Sequence, residues 1–164
     1  MLRPLRSFAR LSRAERRLAV RALALVAAFR IALWTLSARR VAAAAPRPRA
    51  RPAHAGVSPD RMAWLVRAAA RRVPDASCLT RALAVRWLLA EASLDSTLHF
   101  GHRRDERGAF AAHAWLEHQG RVLVGGEEDL SRYHRFDAPP AAVAEPMPRA
   151  PSSPVPDPTP ATRR

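Results

Sequence analysis

Pro74-Asp75-Ala76-Ser77-Cys78-Leu79-Thr80-Arg81 decides how this chain is read. Pro74 closes one helical pattern, and Asp75 or Ser77 can cap the next. Cys78, the one cysteine of the chain, then falls in the first turn of the second helix. A lone cysteine is ordinarily a small buried hydrophobe. Its position argues otherwise here, because unpaired N–H groups and the dipole at a helix start favour the thiolate. A thiolate used for chemistry also needs a base beside it. Ala111-Ala112-His113-Ala114-Trp115-Leu116-Glu117 alternates as a strand does and supplies His113. In a strand, His113, Trp115 and Glu117 share one face. The expectation is that this face lies on the Cys78 helix, with imidazole beside thiol and Trp115 packed on the helix.

The other histidines fit less well. His118 falls on the opposite face beside a turn, and His99 and His102 lack a comparable setting. His54 lies in a linker and His134 near the tail. One cysteine and scattered histidines match no metal-ligand spacing, so neither a metal nor another cofactor is expected.

Working outward, residues 12–38 have helical period, with Ser12 and Glu15 spaced as a capping box. Ala22, Val26, Phe29, Leu33 and Leu36 form one apolar face, with Arg10, Arg13, Arg17 and Arg21 on another. Arg21 and Arg30 interrupt the apolar run, which stays short of the roughly 20 residues a membrane span needs. The expectation is a docking helix in segment 1–41, covering the core or meeting a partner ahead of lying on a membrane surface, with no transmembrane span. Residues 42–57 read as an Ala/Pro/Arg linker. Ser58-Pro59-Asp60 opens the next helix, with Met62, Leu65, Val66, Ala69 and Val73 as its apolar stripe. In the Cys78 helix, running to about Ala92, Leu79, Ala82, Leu83, Trp87 and Ala90 form the expected buried face.

The period then changes. Residues 96–102, 110–118 and 121–124 read as strands, with Gln119-Gly120 as a tight turn between the last two. Residues 130–136 form a short closing segment. The unit 58–137 is therefore α+β, and the Pro-rich tail 138–164 is expected to be disordered.

The chain has 164 residues and a formal net charge of +14. Every basic residue besides histidine is arginine, scattered along the chain without a nucleic-acid motif. Specific nucleic-acid binding is therefore not expected. A single cysteine excludes an internal disulfide, and no clear signal peptide is present, which points to a reducing cytoplasm.

Cys78-Leu79-Thr80-Arg81-Ala82-Leu83-Ala84-Val85-Arg86-Trp87-Leu88-Leu89, His113-Ala114-Trp115-Leu116-Glu117 and Gly120-Arg121-Val122-Leu123 together resemble the leader peptidase of bacterial lasso-peptide biosynthesis. Ser12 to Leu18 and the apolar helix after it are also similar to that family. The resemblance covers roughly residues 10–136 and implies a papain/transglutaminase-like core. That core has N-terminal helices, a nucleophile-bearing helix and a small antiparallel sheet. It implies a cysteine peptidase that removes the leader from a ribosomally made precursor peptide. Cys78 would be the nucleophile and His113 the general base, then the acid for the leaving amine. The implied partners are the precursor, a separate recognition-element protein and an ATP-dependent cyclase.

The family pattern has an aspartate roughly a dozen residues after the histidine. Here that stretch reads Val124-Gly125-Gly126-Glu127-Glu128-Asp129. Pairing across the Gln119-Gly120 turn puts Gly126, which has no carboxylate, opposite His113. Glu127 is the first choice to orient the imidazole and Asp129 the second, beside a plain solvated acidic loop. The backbone N–H of Cys78 is the candidate oxyanion donor. Two other functions remain open: a transglutaminase-like acyl transferase using the same thioester, and a basic adaptor with an inert thiol.

Overall fold

The computed structural model describes residues 11–43, 56–104 and 108–136. The expected Pro-rich tail and most of the expected linker lie outside the described residues. Helix α1 spans Arg13–Thr35 and starts on the capping box read from the sequence: Glu15 N–H donates to Ser12, and the Glu15 carboxylate accepts from Ser12 N–H. The single helix expected over 12–38 breaks at Leu36, which is extended. At this end the Thr35 hydroxyl donates to the carbonyls of Ile31 and Ala32 at 3.2 and 3.3 Å, and Leu36 N–H still donates to Ala32 at 2.8 Å. The chain restarts as the short helix α2, Ala38–Ala43.

Helix α3, Pro59–Ala70, has Ser58 as cap and proline in its first turn. Helix α4, Cys78–Glu91, has Ser77 as cap, its hydroxyl accepting from Thr80 N–H at 3.2 Å. Asp75, the other capping candidate, has φ of 54° and reaches Arg30 of α1 instead.

Strands β1 (Thr97–Arg104), β2 (Phe110–His118), β3 (Arg121–Val124) and β4 (His134–Phe136) form an antiparallel sheet in the order β3-β2-β1-β4. Gln119 and Gly120 both adopt positive φ, as the two-residue turn between β2 and β3 requires. The architecture is α+β with a small antiparallel sheet, as the sequence predicts.

The core lies between helices and sheet. Leu18, Ala22 and Val26 of α1, Met62 and Val66 of α3, Val85, Leu88 and Leu89 of α4 and Leu116 and Val124 of the sheet meet in one cluster. Helix α4 is buried on more sides than its expected face, because α1, α3 and the sheet all pack on it. Its last residue, Glu91, is 1% exposed and would be a costly buried charge alone. Arg21 of α1 meets that carboxylate at 2.6 Å, and Trp87 Nε1–H donates to it at 2.9 Å.

The sheet corrects one packing expectation. Ala114 and Leu116 turn toward the helices. Trp115 therefore faces the other side, since successive side chains alternate. There it stacks on His99 at 5.5 Å between ring centroids, with Arg135 above it.

Candidate active site

Cys78 is the first residue of α4 and is half-buried. Ser77 ends its extended segment immediately before it and fixes the first helical turn through Thr80, whose side chain is fully buried. The thiol therefore sits where helical N–H groups have no intrahelical acceptor. The start of α4 faces β2, where the His113 side chain and the Ala114 N–H both act on the thiol. The imidazole meets the thiol at the start of α4, while Trp115, two places further along β2, lies away from the helical core.

The electrostatics of the two groups are reciprocal. Burial pushes the Cys78 thiol up, but hydrogen bonds from the His113 side chain and the Ala114 and Leu79 backbone outweigh it. The thiol ends below its ordinary value. His113 moves the other way: its bond to Cys78 raises it most, burial opposes this, and Gly125 and Glu128 raise it further. A lowered thiol beside a raised imidazole favours the thiolate–imidazolium pair.

The far side of the ring is held by main chain. His113 Nε2 lies 2.8 Å from the carbonyl oxygen of Gly125. A carbonyl only accepts, so Nε2 carries the hydrogen in either charge state of the ring. The lone pair of the neutral imidazole is then on Nδ1, the atom that takes up a proton. Gly125 is suited to this place because it has φ of +88°. A Cβ there would also stand 2.6 Å from Trp115 Cβ and 2.8 Å from the Ala114 oxygen.

The acidic loop is used differently from the expectation. Glu127, the first choice to orient the imidazole, is placed 3.5 Å from Arg81 on α4. Asp129, the second choice, caps a 3-10 turn at Leu130–Arg132 by accepting from Ser131. The carboxylate that the structure brings to His113 is Glu128, with Oε1 3.6 Å from Nδ1. Tyr133 O–H donates to Glu128, Arg103 Nε–H donates to the Tyr133 oxygen at 2.9 Å, and Arg103 approaches Glu128 at 3.8 Å. The Tyr133 ring also packs beside His113, with centroids 5.3 Å apart.

One shift in register and the end of a strand explain the difference. A bulge pairs Leu116 with Val124 rather than Leu123, and β3 ends at Val124. Gly126 therefore does not pair opposite His113. The sequence carried one signal for the actual arrangement: a Gly-Gly pair directly after a strand marks close backbone approach.

Among the described residues, three other histidines are engaged elsewhere. His99 lies 3.1 Å from Glu117, His118 meets the Asp95 carbonyl, and His102 stacks on Phe136. Among the described residues, no group of three or more His, Cys, Asp or Glu side chains is arranged to hold a metal ion. A thiol, an imidazole and a main-chain acceptor meet in this site, a combination suited to acyl transfer through a thioester.

A family model for the transglutaminase-like superfamily matches residues 20–136, from α1 through β4. No curated protein and no solved structure matches the chain.

Proposed function

The chain belongs to the transglutaminase-like superfamily, and from that premise we propose that it is a cysteine peptidase that removes the leader from a lasso-type precursor peptide. The superfamily includes both cysteine peptidases and acyltransferases. The observation that carries the peptidase chemistry is that Cys78, at the start of α4, and His113, whose Nε2 is fixed by Gly125, shift each other's acidity. The leader as substrate is supported by the sequence resemblance at Cys78–Leu89, His113–Glu117 and Gly120–Leu123.

In this mechanism the Cys78 thiolate attacks the scissile carbonyl while His113 holds the thiol proton on Nδ1. The negative charge on the carbonyl oxygen is met by the Cys78 backbone N–H. The tetrahedral intermediate collapses, the C–N bond breaks, and Nδ1 gives its proton to the leaving amine. The amine is the new N-terminus of the core peptide. The leader remains as a thioester on Cys78. Neutral His113 then takes a proton from water, hydroxide attacks the thioester, and the returning proton regenerates the thiol. Gly125 keeps the ring in one tautomer throughout, the service a carboxylate performs in other triads.

A separate recognition protein would present the leader, and an ATP-dependent cyclase would use the freed amine. Both, with the precursor, would be met in the cytoplasm. The test combines purified chain, recognition protein and precursor and follows leader release by mass spectrometry. Release is expected, with Cys78→Ala abolishing it and His113→Ala lowering it about 10²-fold or more. Release that survives Cys78→Ala overturns the mechanism. A leader recovered joined to an added amine, rather than as a free acid, identifies the acyl-transferase reaction instead.

A further inference from the structure

Helix α1 has two faces with opposite fates. Leu18, Ala22 and Val26 are fully buried against the core. On the other side Val20, Leu23, Ile31 and Trp34 recur at helical spacing and stay exposed, at 62%, 39%, 57% and 63%. Together with Leu36 these are most of the exposed large apolar residues among the described ones. Single exposed apolar residues need no explanation, but a continuous stripe along one helix does.

The charges at the two ends of the stripe are of one sign, while along its flank the Asp75 carboxylate meets Arg30. Arg13, Arg16 and Arg17 are exposed at its start, and Arg39 and Arg40 just beyond its end. From Arg16 to Pro59 the sequence contains no aspartate or glutamate. Arg30 lies over the Trp34 ring at 4.5 Å and keeps its polar head at the helix flank. An apolar stripe flanked by arginines, with a tryptophan at its end, has the composition of a helix that lies in a lipid interface.

We propose that the exposed face of α1 docks on an anionic lipid surface, with the stripe among the acyl chains and the flanking arginines at the headgroups. α1 is the one described helix long and apolar enough to cross a membrane by length and composition. Crossing would strip Leu18, Ala22 and Val26 from the core and separate Arg21 from Glu91, so the folded chain binds lying on the surface. A second copy is a poor occupant, because the same arginines would face one another across the interface. The inference concerns the face opposite the core and does not depend on the reaction at Cys78.

The test is co-sedimentation of the full chain with vesicles of phosphatidylglycerol and phosphatidylcholine, against vesicles of phosphatidylcholine alone. Binding is expected only to the anionic vesicles and should weaken as salt rises. The triple variant Val20→Glu, Ile31→Glu, Trp34→Glu should lose about tenfold or more of that affinity while keeping its thermal melting curve. No binding to anionic vesicles overturns the proposal, as does binding that the variant leaves unchanged. A dimer in solution that the variant abolishes, with vesicles ignored, assigns the face to a second copy and also overturns it. Loss of response to the recognition protein alone, again with vesicles ignored, assigns it to a protein partner with the same consequence.

Discussion

At Gly125 one residue combines two requirements. Its positive φ is open to glycine, and its carbonyl holds His113 Nε2. Gly125→Ala is therefore expected to lose about 1–3 kcal/mol of stability through backbone strain, with further loss from the clash on Trp115. The proposed leader cleavage should fall with it. Gly120→Ala is the control, since Gly120 has φ of +73° but open space where a methyl group would stand. It should cost stability through strain alone and leave cleavage intact. Melting curves and cleavage rates of the two variants separate strain from the loss of the main-chain acceptor. Equal cleavage by both would remove Gly125 from the mechanism.

Glu128 acts on the other side of the same ring. It raises His113, after the larger contribution of Cys78, and so helps the imidazolium keep its proton to higher pH. In Glu128→Gln that support is gone and the His113 value falls. The pH profile of cleavage should narrow, with its alkaline limb moving to lower pH. An alkaline limb that stays in place shows that Glu128 has no hold on the ring. Neither Gly125 nor Glu128 stood out as the partner of His113 from sequence. A backbone carbonyl has no residue type to recognise, and three adjacent acidic residues differ only in where the loop points them.

Among the elements, α4 links the sequence to the site. Its start was legible because serine before a helical pattern has one good use, accepting from an N–H of the first turn. Ser77→Ala removes that acceptor and is expected to cost about 1 kcal/mol of stability. Cleavage should slow as well, because Cys78 follows the cap directly; a shifted melting curve with unchanged cleavage would mean the cap serves stability alone. The strands were legible for the same kind of reason: alternation and a Gln-Gly turn are local signals. The break at Leu36 was not, since no proline or glycine marks it. Nor was the direction of Trp115. Alternation groups His113 with Trp115, but only the packed sheet reveals that Ala114 and Leu116 take the helical side.

For the molecule as a whole, the helices and the sheet could be expected but not their arrangement. The position of β4 beside β1 rather than β3 is a long-range pairing with no local mark. The same holds for Arg21 meeting Glu91 across 70 residues of chain. What the assembled fold accomplishes is to bring the start of α4, the strand β2 and the turn after β3 to one point. The proposed function depends on that point being a reactive pair, with each group shifting the other. Because the chain has one cysteine, its alkylation by iodoacetamide reports a single thiol. Measured against pH in the folded protein, the alkylation rate should rise with an inflection below that of an ordinary thiol, and His113→Ala should move the inflection upward. An inflection at the ordinary thiol value, unmoved by His113→Ala, would contradict the pairing of Cys78 with His113.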